Sequence, residues 1–471
     1  MPDSLVQNQI SRQTKFGHFT WPQVTVGLVI WLGLYAVGSI FVSNPFWVES
    51  SASAALNYAH AMYLHGLLIG LAGLVSLVAC ELFELSFKMR QSILLATVAA
   101  TFLAGIGGIF DRSLQDTFWL WVQIFSFFCL DDILLSLVIG FVLVHNQTLR
   151  RSMTYWIAMV ASISFFIAAV IGHVAGWILD FGNWPGIIGW WAKLNGESVD
   201  TFLGNLITSH SHEIIVAILA LLIAMISWRF RSRQAGVRAN VVALVGEWFV
   251  LIGTILMTFI YVVAAFTANQ PPNFFVHGPN GLAGDDLVTG IGVMIGGLLV
   301  IWGTVFGQRD GAKRTSVWLQ PTLLSIALTW LFLVITVVAG GFAIELNETR
   351  FGAGGPGPLA VNDAVFTFIH QDVAFFLFPA IITVVLIAHQ WLKPEMERFF
   401  QRIMLIAVII TFIGTLTYAF MAPRLFGVGY WITTLGFIMV CIAVAYFCNR
   451  LLSIVGHAQS ASPGFSHGEV Q

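Results

Sequence analysis

The feature that most constrains this chain is a series of apolar segments about 20 residues long, the length that an α-helix needs to cross a bilayer. Hydrophobic residues make up 58% of the sequence and charged residues only 9%, whereas soluble domains carry roughly 25% charged residues. We therefore predict an all-α fold, a polytopic bundle of about twelve transmembrane helices forming a single domain over residues 1–471. The predicted spans, numbered 1 to 12, cover residues 23–43, 58–84, 92–110, 117–143, 153–180, 203–228, 239–268, 285–306, 317–343, 363–392, 403–421 and 430–453.

The Lys and Arg residues predict the orientation of these spans, because positive residues in short loops stay on the cytoplasmic side. Of the 21 Lys and Arg residues, all but Arg112, Lys193, Arg350 and Arg424 fall in the two tails and in the loops after even-numbered spans. We therefore expect both termini to be cytoplasmic. The loops on the outer side, which either connect spans or cover a site, are then those near 44–57, 181–202, 269–284 and 344–362.

Several function classes are disfavoured by composition. The net charge of -2, without a block of like charge, gives no indication of nucleic-acid binding. The four cysteines lie in apolar spans without CxxC spacing, so neither a disulfide framework nor a zinc finger is predicted. Membrane lipid is the partner that the composition itself implies.

Histidines are concentrated near the predicted outer face. Ionisable residues inside a bilayer are costly and usually face the bundle interior, where a partner, water or a metal compensates for the cost. A single histidine is most simply a hydrogen-bonding residue, but seven at similar depth indicate a common site. They are His60, His65, His173, His210, His212, His277 and His370.

The positions of these histidines favour metal chemistry. His65 and His370 each fall about seven residues, or ~10 Å, inside their predicted spans, a shared level that suits the two axial ligands of a haem. His210 and His212 are two residues apart and so point to different faces of span 6. His277 precedes span 8, where Asp285 and Asp286 either cap the helix or approach a metal.

Other polar residues within the spans are few. Glu213 is next to His212 and is a candidate metal ligand, proton donor or hydrogen-bond acceptor for a ligand. Asp131, Asp132 and Glu247 predict either a proton route or partners for neighbouring polar groups. The glycine-rich stretch 290–297 in span 8 predicts close helix packing.

Together, the outer histidines of spans 2, 6 and 10 and of the loop before span 8 resemble the catalytic subunit of the haem–copper oxidase superfamily. Residues 65–69 (HGLLI) are similar to its span 2 haem-ligand segment, and residues 370–376 (HQDVAFF) to the span 10 segment of its nitric oxide reductase branch. His210 or His212 then corresponds to the span 6 metal ligand, and His277 to the first of a His pair. That branch normally reads His-x-His in span 10, but Asp372 stands at the second position here, and Gly278 replaces the second His of the pair.

The resemblance implies a function and a set of cofactors. His65 and His370, with His60 and Asp372 as further cofactor contacts, would hold haem b. A second metal, iron or copper, would be bound by His210 or His212, His277 and Asp285; the carboxylate favours iron and nitric oxide over copper and dioxygen. Glu213 and Tyr261 are the expected catalytic residues.

The same resemblance implies a bacterial or archaeal plasma membrane, a small gas as substrate, and an electron donor that is a cytochrome c subunit, a copper protein or a quinol. Two alternatives remain open at the level of sequence. One is a non-catalytic haem or copper protein, such as an electron carrier or a nitric oxide stress sensor. The other is a transporter whose histidines bind a cation.

Overall fold

The computed structural model describes residues 53–114, 117–181, 186–194, 198–230, 237–267, 281–307, 321–351, 366–420 and 426–460. Almost all of this described part is helical, and it contains no β-strand. Its long helices are α1 (Ser53–Leu82), α2 (Phe87–Leu114), α3 (Thr117–Val142), α4 (Met153–Phe181), α5 (Val199–Phe230), α6 (Val237–Thr267), α7 (Gly281–Gly307), α8 (Pro321–Phe351), α9 (Phe366–Leu377 continued by Phe378–Trp391), α10 (Pro394–Phe420) and α11 (Phe426–Ser460).

These helices coincide with predicted spans 2 to 12, whereas span 1, residues 23–43, lies outside the described residues. Within the described part, nine helices are long and apolar enough to cross a membrane, and Leu68–Leu82 forms a shorter apolar segment. The predicted helical, membrane-protein character is therefore confirmed. The four cysteines are free thiols.

Some predicted boundaries were wrong. Helix α10 begins at Pro394 rather than at 403, and α8 continues to Phe351 rather than ending at 343. Both extensions contain charged residues, so a hydropathy pattern ends before the helix does. The stretch 181–202, predicted as an outer loop, contains the short helix Ile187–Leu194, whose buried Ala192 packs with residues from the C-terminal part of α4 and the N-terminal part of α5.

Helices α5 and α9 occupy the centre of the bundle. In α5, 83% of the most apolar stretch is buried, and in the second half of α9 78% is buried, against 39–56% in the other spans. The run 214–226 of α5 is apolar on every side and buried throughout, as expected of a helix surrounded by other helices. Helix α5 contacts α1, α4, α6, α7 and α9, so its polar residues are placed among several neighbours.

The first half of α9 is wound as a π-helix, Phe366–Leu377, before the chain continues as an α-helix from Phe378. Pro379 gives a physical reason, since it has no N–H to donate to the carbonyl of Phe375 four residues earlier. A wider turn lets the next residue's N–H serve that carbonyl instead. Such turns are rare and often occur at functional sites.

Glycines allow α6 and α7 to approach closely. A Cβ on Gly296 would lie 2.8 Å from the carbonyl oxygen of Gly246, and a Cβ on Gly246 would lie 2.6 Å from that of Gly296. The predicted role of the 290–297 stretch in helix packing is thus confirmed at Gly296.

Candidate functional site

The N-terminal half of α5 carries three candidate residues, His210, His212 and Glu213. Their side chains point in different directions because successive helical residues are turned by about 100°. His210 contacts α4, His212 contacts α6 and α9, and Glu213 is completely buried. The prediction that the two histidines point to different faces of the helix is confirmed.

His210 is held against α4 by a hydrogen bond and by a glycine. Its Nδ1 lies 2.8 Å from the carbonyl oxygen of Ala168. A carbonyl oxygen can only accept, so Nδ1 carries the hydrogen and Nε2 keeps the lone pair in the neutral ring. The imidazole fits this position only because residue 172 is glycine, since a Cβ there would lie 2.3 Å from Nδ1. Metal-binding histidines commonly use such a bond to a backbone carbonyl to fix their orientation.

His212 lies between two aromatic side chains on the neighbouring helices. Its ring stacks on that of fully buried Tyr261 of α6, with centroids 6.0 Å apart and an interplanar angle of 11°. Phe375, in the π-helical part of α9, meets the same imidazole edge-on at 6.4 Å. The candidate residues His212 and Tyr261 are therefore neighbours, and the His212 ring also meets the π-helical segment of α9.

Glu213 is a carboxyl group inside the helix bundle. The hydroxyl of Ser164 on α4 donates to its Oε1 at 3.2 Å, and that hydroxyl also lies 2.5 Å from the hydroxyl of Thr258 on α6. Oε2 of Glu213 is buried and has no hydrogen-bond partner among the described residues. A buried carboxyl oxygen without a partner is costly, so it marks a position where a ligand or a proton can be accommodated.

The three helices that carry the main predicted ligand segments are mutual neighbours. Helix α1 contains His60 and His65, and the π-helical part of α9 contains His370 and Asp372. These two helices contact each other, and α5 contacts both. The side chains of the four residues lie outside the described part, so their predicted approach to a common cofactor stays a prediction.

The second-metal ligands are described only in part. His277 lies outside the described residues, and Asp285 and Asp286 belong to the first turns of α7 but their side chains are not described. Among the side chains that are described, no group of three or more His, Cys, Asp or Glu lies close enough to hold a metal ion. His210 and His212 face different helices, so a single metal ion would use one of them.

Asp131 and Glu247 have polar partners, one of the two roles predicted for them, but which residues these partners are was not predicted. His173 of α4 is paired with Asp131 of α3, with 3.2 Å between Nδ1 and Oδ2. In the inner half, Oε1 of buried Glu247 accepts hydrogen bonds from Ser227 at 2.6 Å and Thr154 at 3.3 Å. Each group stood out as an intramembrane ionisable residue, but the partners are 20 to 93 positions away, and sequence separation gives no signal for such pairs.

No protein-family model matches this chain, and no curated protein matches it in sequence.

Proposed function

We propose that the protein is a membrane-integral haem oxidoreductase that reduces a small gas, nitric oxide in preference to dioxygen, near the outer face of the membrane. The observation that carries the proposal is the mutual packing of α1, α5 and α9. His212 of α5 also approaches Phe375 in the π-helical part of α9. These three helices bear His65, His212 and His370, and they correspond to spans 2, 6 and 10 of the haem–copper oxidase pattern. The proposed relation to the nitric oxide reductase branch of that superfamily follows from the same correspondence.

The donor chemistry of these helices fits a haem b and a second metal. His65 and His370, on adjacent helices, would hold the haem, with His60 and Asp372 as further contacts. We assign the second metal to His212, His277 and Asp285, and we take iron over copper because a carboxylate is a hard donor. His210, tied to the carbonyl of Ala168, is the alternative imidazole.

The bound metals would supply the redox chemistry, while the protein would supply positioning and protons. Reduction of nitric oxide to nitrous oxide and water consumes protons as well as electrons. Glu213, next to His212, can hold a proton at Oε2, which has no partner among the described residues. The phenol of Tyr261, whose ring stacks on His212, is a second proton donor at the same place.

The surroundings of the protein follow from this assignment. We place it in the plasma membrane of a bacterium or archaeon, with both termini in the cytoplasm, in contact with lipid. Its electron donor is a cytochrome c, a copper-protein subunit or a quinol. The positive charge of the predicted cytoplasmic loops supports the orientation.

The proposal is tested by measuring the haem and metal content of the purified protein together with its nitric oxide consumption. Pyridine haemochrome spectra and metal analysis of the purified protein should give haem b and iron, and nitric oxide should be consumed with a reduced donor. His65→Ala and His370→Ala should each remove a haem band, whereas His145→Ala, at an exposed position between α3 and α4, should leave the spectrum unchanged. Protein without haem, or an unchanged haem spectrum in both ligand variants, would refute the proposal.

A second candidate function is favoured by one observation, the incomplete set of imidazoles. Asp372 and Gly278 stand where the resemblance expects histidines, so a haem protein without a working second metal fits the sequence as well. Stoichiometric haem with no second metal and no turnover would establish this electron-transfer or sensing function. Stoichiometric copper with consumption of dioxygen would instead overturn the choice of iron and nitric oxide.

A further inference from the structure

The turn between α3 and α4, at the predicted cytoplasmic face, is closed by hydrogen bonds at both ends. It contains the one-turn helix Gln147–Arg150, in which the N–H of Leu149 donates to the side chain of Asn146. The hydroxyl of Ser152 donates to the carbonyl oxygen of Leu149 at 2.6 Å and accepts from the N–H of Tyr155 at 3.2 Å. The backbone of the turn is therefore fixed, and it presents two adjacent arginines. They are Arg150 and Arg151.

These two arginines are positioned to bind an anion. Arg150 and Arg151 are both exposed, and neither forms an ion pair with a carboxylate in the described part of the chain. Nη2 of Arg150 donates to the carbonyl oxygen of Val142, the last residue of α3, at 2.6 Å. That bond orients the guanidinium and leaves its other N–H groups to a ligand. Because the planar fork of arginine matches the geometry of a phosphate, the turn is suited to a phosphate group.

Other cations of the predicted cytoplasmic face have carboxylates beside them. Arg90, near the start of α2, forms an ion pair with Glu81, with 2.7 Å between Nη1 and Oε2. Arg398 of α10 is exposed, but it follows two carboxylates in the first turn of that helix, Glu395 and Glu397. The α3–α4 turn thus differs from these positions in holding adjacent arginines without a described counter-charge.

The start of α2 adds a third cation to this corner. A Cβ on Gly140 of α3 would lie 3.7 Å from Cγ of Met89, which brings the preceding residue, exposed Lys88, to the same end of α3. The turn before α2 also exposes one carboxylate, that of Glu84. Three exposed cations against one exposed carboxylate leave the corner positive, and clusters of Lys and Arg at a membrane surface attract anionic lipids.

Exposed apolar side chains continue from the arginines towards the bilayer. Trp156, Val142 and Leu143 are each just over half exposed. Trp156 is four residues beyond Ser152, or ~6 Å further along α4, and indole rings favour the level between headgroups and acyl chains. Its ring lies edge-on to that of buried Tyr155, with centroids 5.3 Å apart. A molecule with a phosphate and apolar chains can use both surfaces, whereas a free phosphate can use only the arginines.

We propose that the α3–α4 turn binds a phospholipid of net negative charge, with its phosphate on Arg150 and Arg151 and its acyl chains beside Trp156. The site prefers such a lipid over a zwitterionic one, because a choline or ethanolamine headgroup would bring a further cation next to the arginines. Since these side chains are exposed, a lipid reaches them directly from the bilayer. The site does not depend on the proposed haem function.

The experiment counts lipids retained by the whole protein in native mass spectrometry, with equimolar phosphatidylglycerol and phosphatidylcholine of the same acyl chains as probes. One phosphatidylglycerol should be retained at least about fivefold better than phosphatidylcholine, the effect of one charge contact at a membrane surface. A tenfold excess of inorganic phosphate should not displace it, because phosphate cannot use the apolar surface. Equal retention of the two lipids, or displacement by phosphate, would overturn the proposal.

Variants assign the lipid to this turn. Arg150→Gln and Arg151→Gln should each lower phosphatidylglycerol retention by about fivefold. Arg151 is exposed and makes no described side-chain bond, so its replacement does not threaten the fold. Trp156→Ala, also at an exposed position, should weaken retention as well. Arg398→Gln, the same change at an exposed arginine of α10, should leave it unchanged. Retention that is unaffected by Arg151→Gln, or lowered as much by Arg398→Gln, would overturn the assignment.

Discussion

Two buried glutamates lie between the same three helices, α4, α5 and α6, but their surroundings differ. In the predicted inner half, Oε1 of Glu247 accepts from both Ser227 and Thr154. In the predicted outer half, Glu213 accepts from Ser164 at Oε1, while its Oε2 has no partner among the described residues. Both carboxyls are completely buried. Burial alone therefore does not distinguish a structural carboxyl from one available for chemistry, whereas hydrogen-bond satisfaction does.

What surrounds the two glutamates supports the same distinction. Glu213 follows His212, whose ring stacks on Tyr261 and meets Phe375 of the π-helical segment. Glu247 is held at Oε1 by the hydroxyls of Ser227 and Thr154, and its neighbours in sequence, Gly246 and Trp248, are not metal ligands. We therefore assign the inner glutamate to helix packing and the outer one to the proposed reaction.

The largest expected effect separates the two glutamates by activity. Glu213→Gln should lower nitric oxide consumption by at least about 100-fold, the lower range for removal of a positioned proton donor. Glu247→Gln, the same chemical change on the same helices, should leave the rate nearly unchanged. Turnover with a reduced donor measures both, with haem content and thermal unfolding as controls. Equal losses of activity in the two variants would show that both glutamates serve proton transfer and would contradict the difference in role that we infer.

The next largest effect distinguishes the two glutamates by their contribution to stability. Ser227→Ala removes the 2.6 Å hydrogen bond to buried Glu247 and should lower the free energy of unfolding by about 1–3 kcal/mol. Ser162→Ala is the control, since that buried hydroxyl donates only to Ala158 of its own helix and its loss orphans no carboxyl. Thermal unfolding in one detergent compares them. If Ser162→Ala were as destabilising as Ser227→Ala, Glu247 would not be the structural group that we infer.

A third effect tests how His210 is positioned in the outer half. A Cβ at residue 172 would lie 2.3 Å from the His210 ring, so Gly172→Ala should displace the imidazole and break its bond to Ala168. A Cβ at Gly176, one turn further along α4, has nothing within 4 Å. Both glycine-to-alanine changes raise helix propensity by the same amount, so the difference in stability between the two variants measures the steric clash. We expect the free energy of unfolding of Gly172→Ala to be lower than that of Gly176→Ala by about 1–3 kcal/mol. Equal unfolding temperatures would contradict this.

The sequence was sufficient to predict much of the fold and the helices that carry the site, but not the hydrogen bonds between side chains at the site. Apolar runs predict where helices cross, yet α10 begins nine residues before its apolar run because Pro394, Glu395 and Glu397 start it with polar turns. The resemblance led to His212 and Tyr261, and these residues are in contact.

Hydroxyl groups show why the rest could not be predicted. In membrane helices, Ser and Thr usually donate to a carbonyl of their own helix, as Ser162 does to Ala158 and Thr254 to Val250. Ser164, two residues from Ser162, instead reaches Glu213 on another helix. Nothing in the local sequence distinguishes the two serines, because the choice depends on which face of α4 meets α5. Likewise, the pairing of His173 with Asp131 depends on helix packing rather than on spacing.

The smallest expected effect concerns Ser164, the outer counterpart of Ser227. Ser164→Ala removes the 3.2 Å hydrogen bond to Glu213, but it leaves Thr258 satisfied, because that hydroxyl also lies 2.9 Å from the carbonyl oxygen of Thr254 and can donate there. The bond is longer than the one between Ser227 and Glu247. We therefore expect a loss of only about 0.5–1.5 kcal/mol in the free energy of unfolding, smaller than for Ser227→Ala.

Ser164→Ala and Ser227→Ala should rank in opposite orders for activity and for stability. Ser164 orients the carboxyl that we assign to proton transfer, so Ser164→Ala should lower nitric oxide consumption, though less than Glu213→Gln does, while Ser227→Ala should not lower it. The double variant of Ser164→Ala with Glu213→Gln checks the route: if the serine acts only through the carboxyl, the double variant is no slower than Glu213→Gln alone. If the double variant lost activity by the sum of the two single effects, Ser164 would act on the reaction independently of Glu213. Its contribution would then not pass through the Glu213 carboxyl.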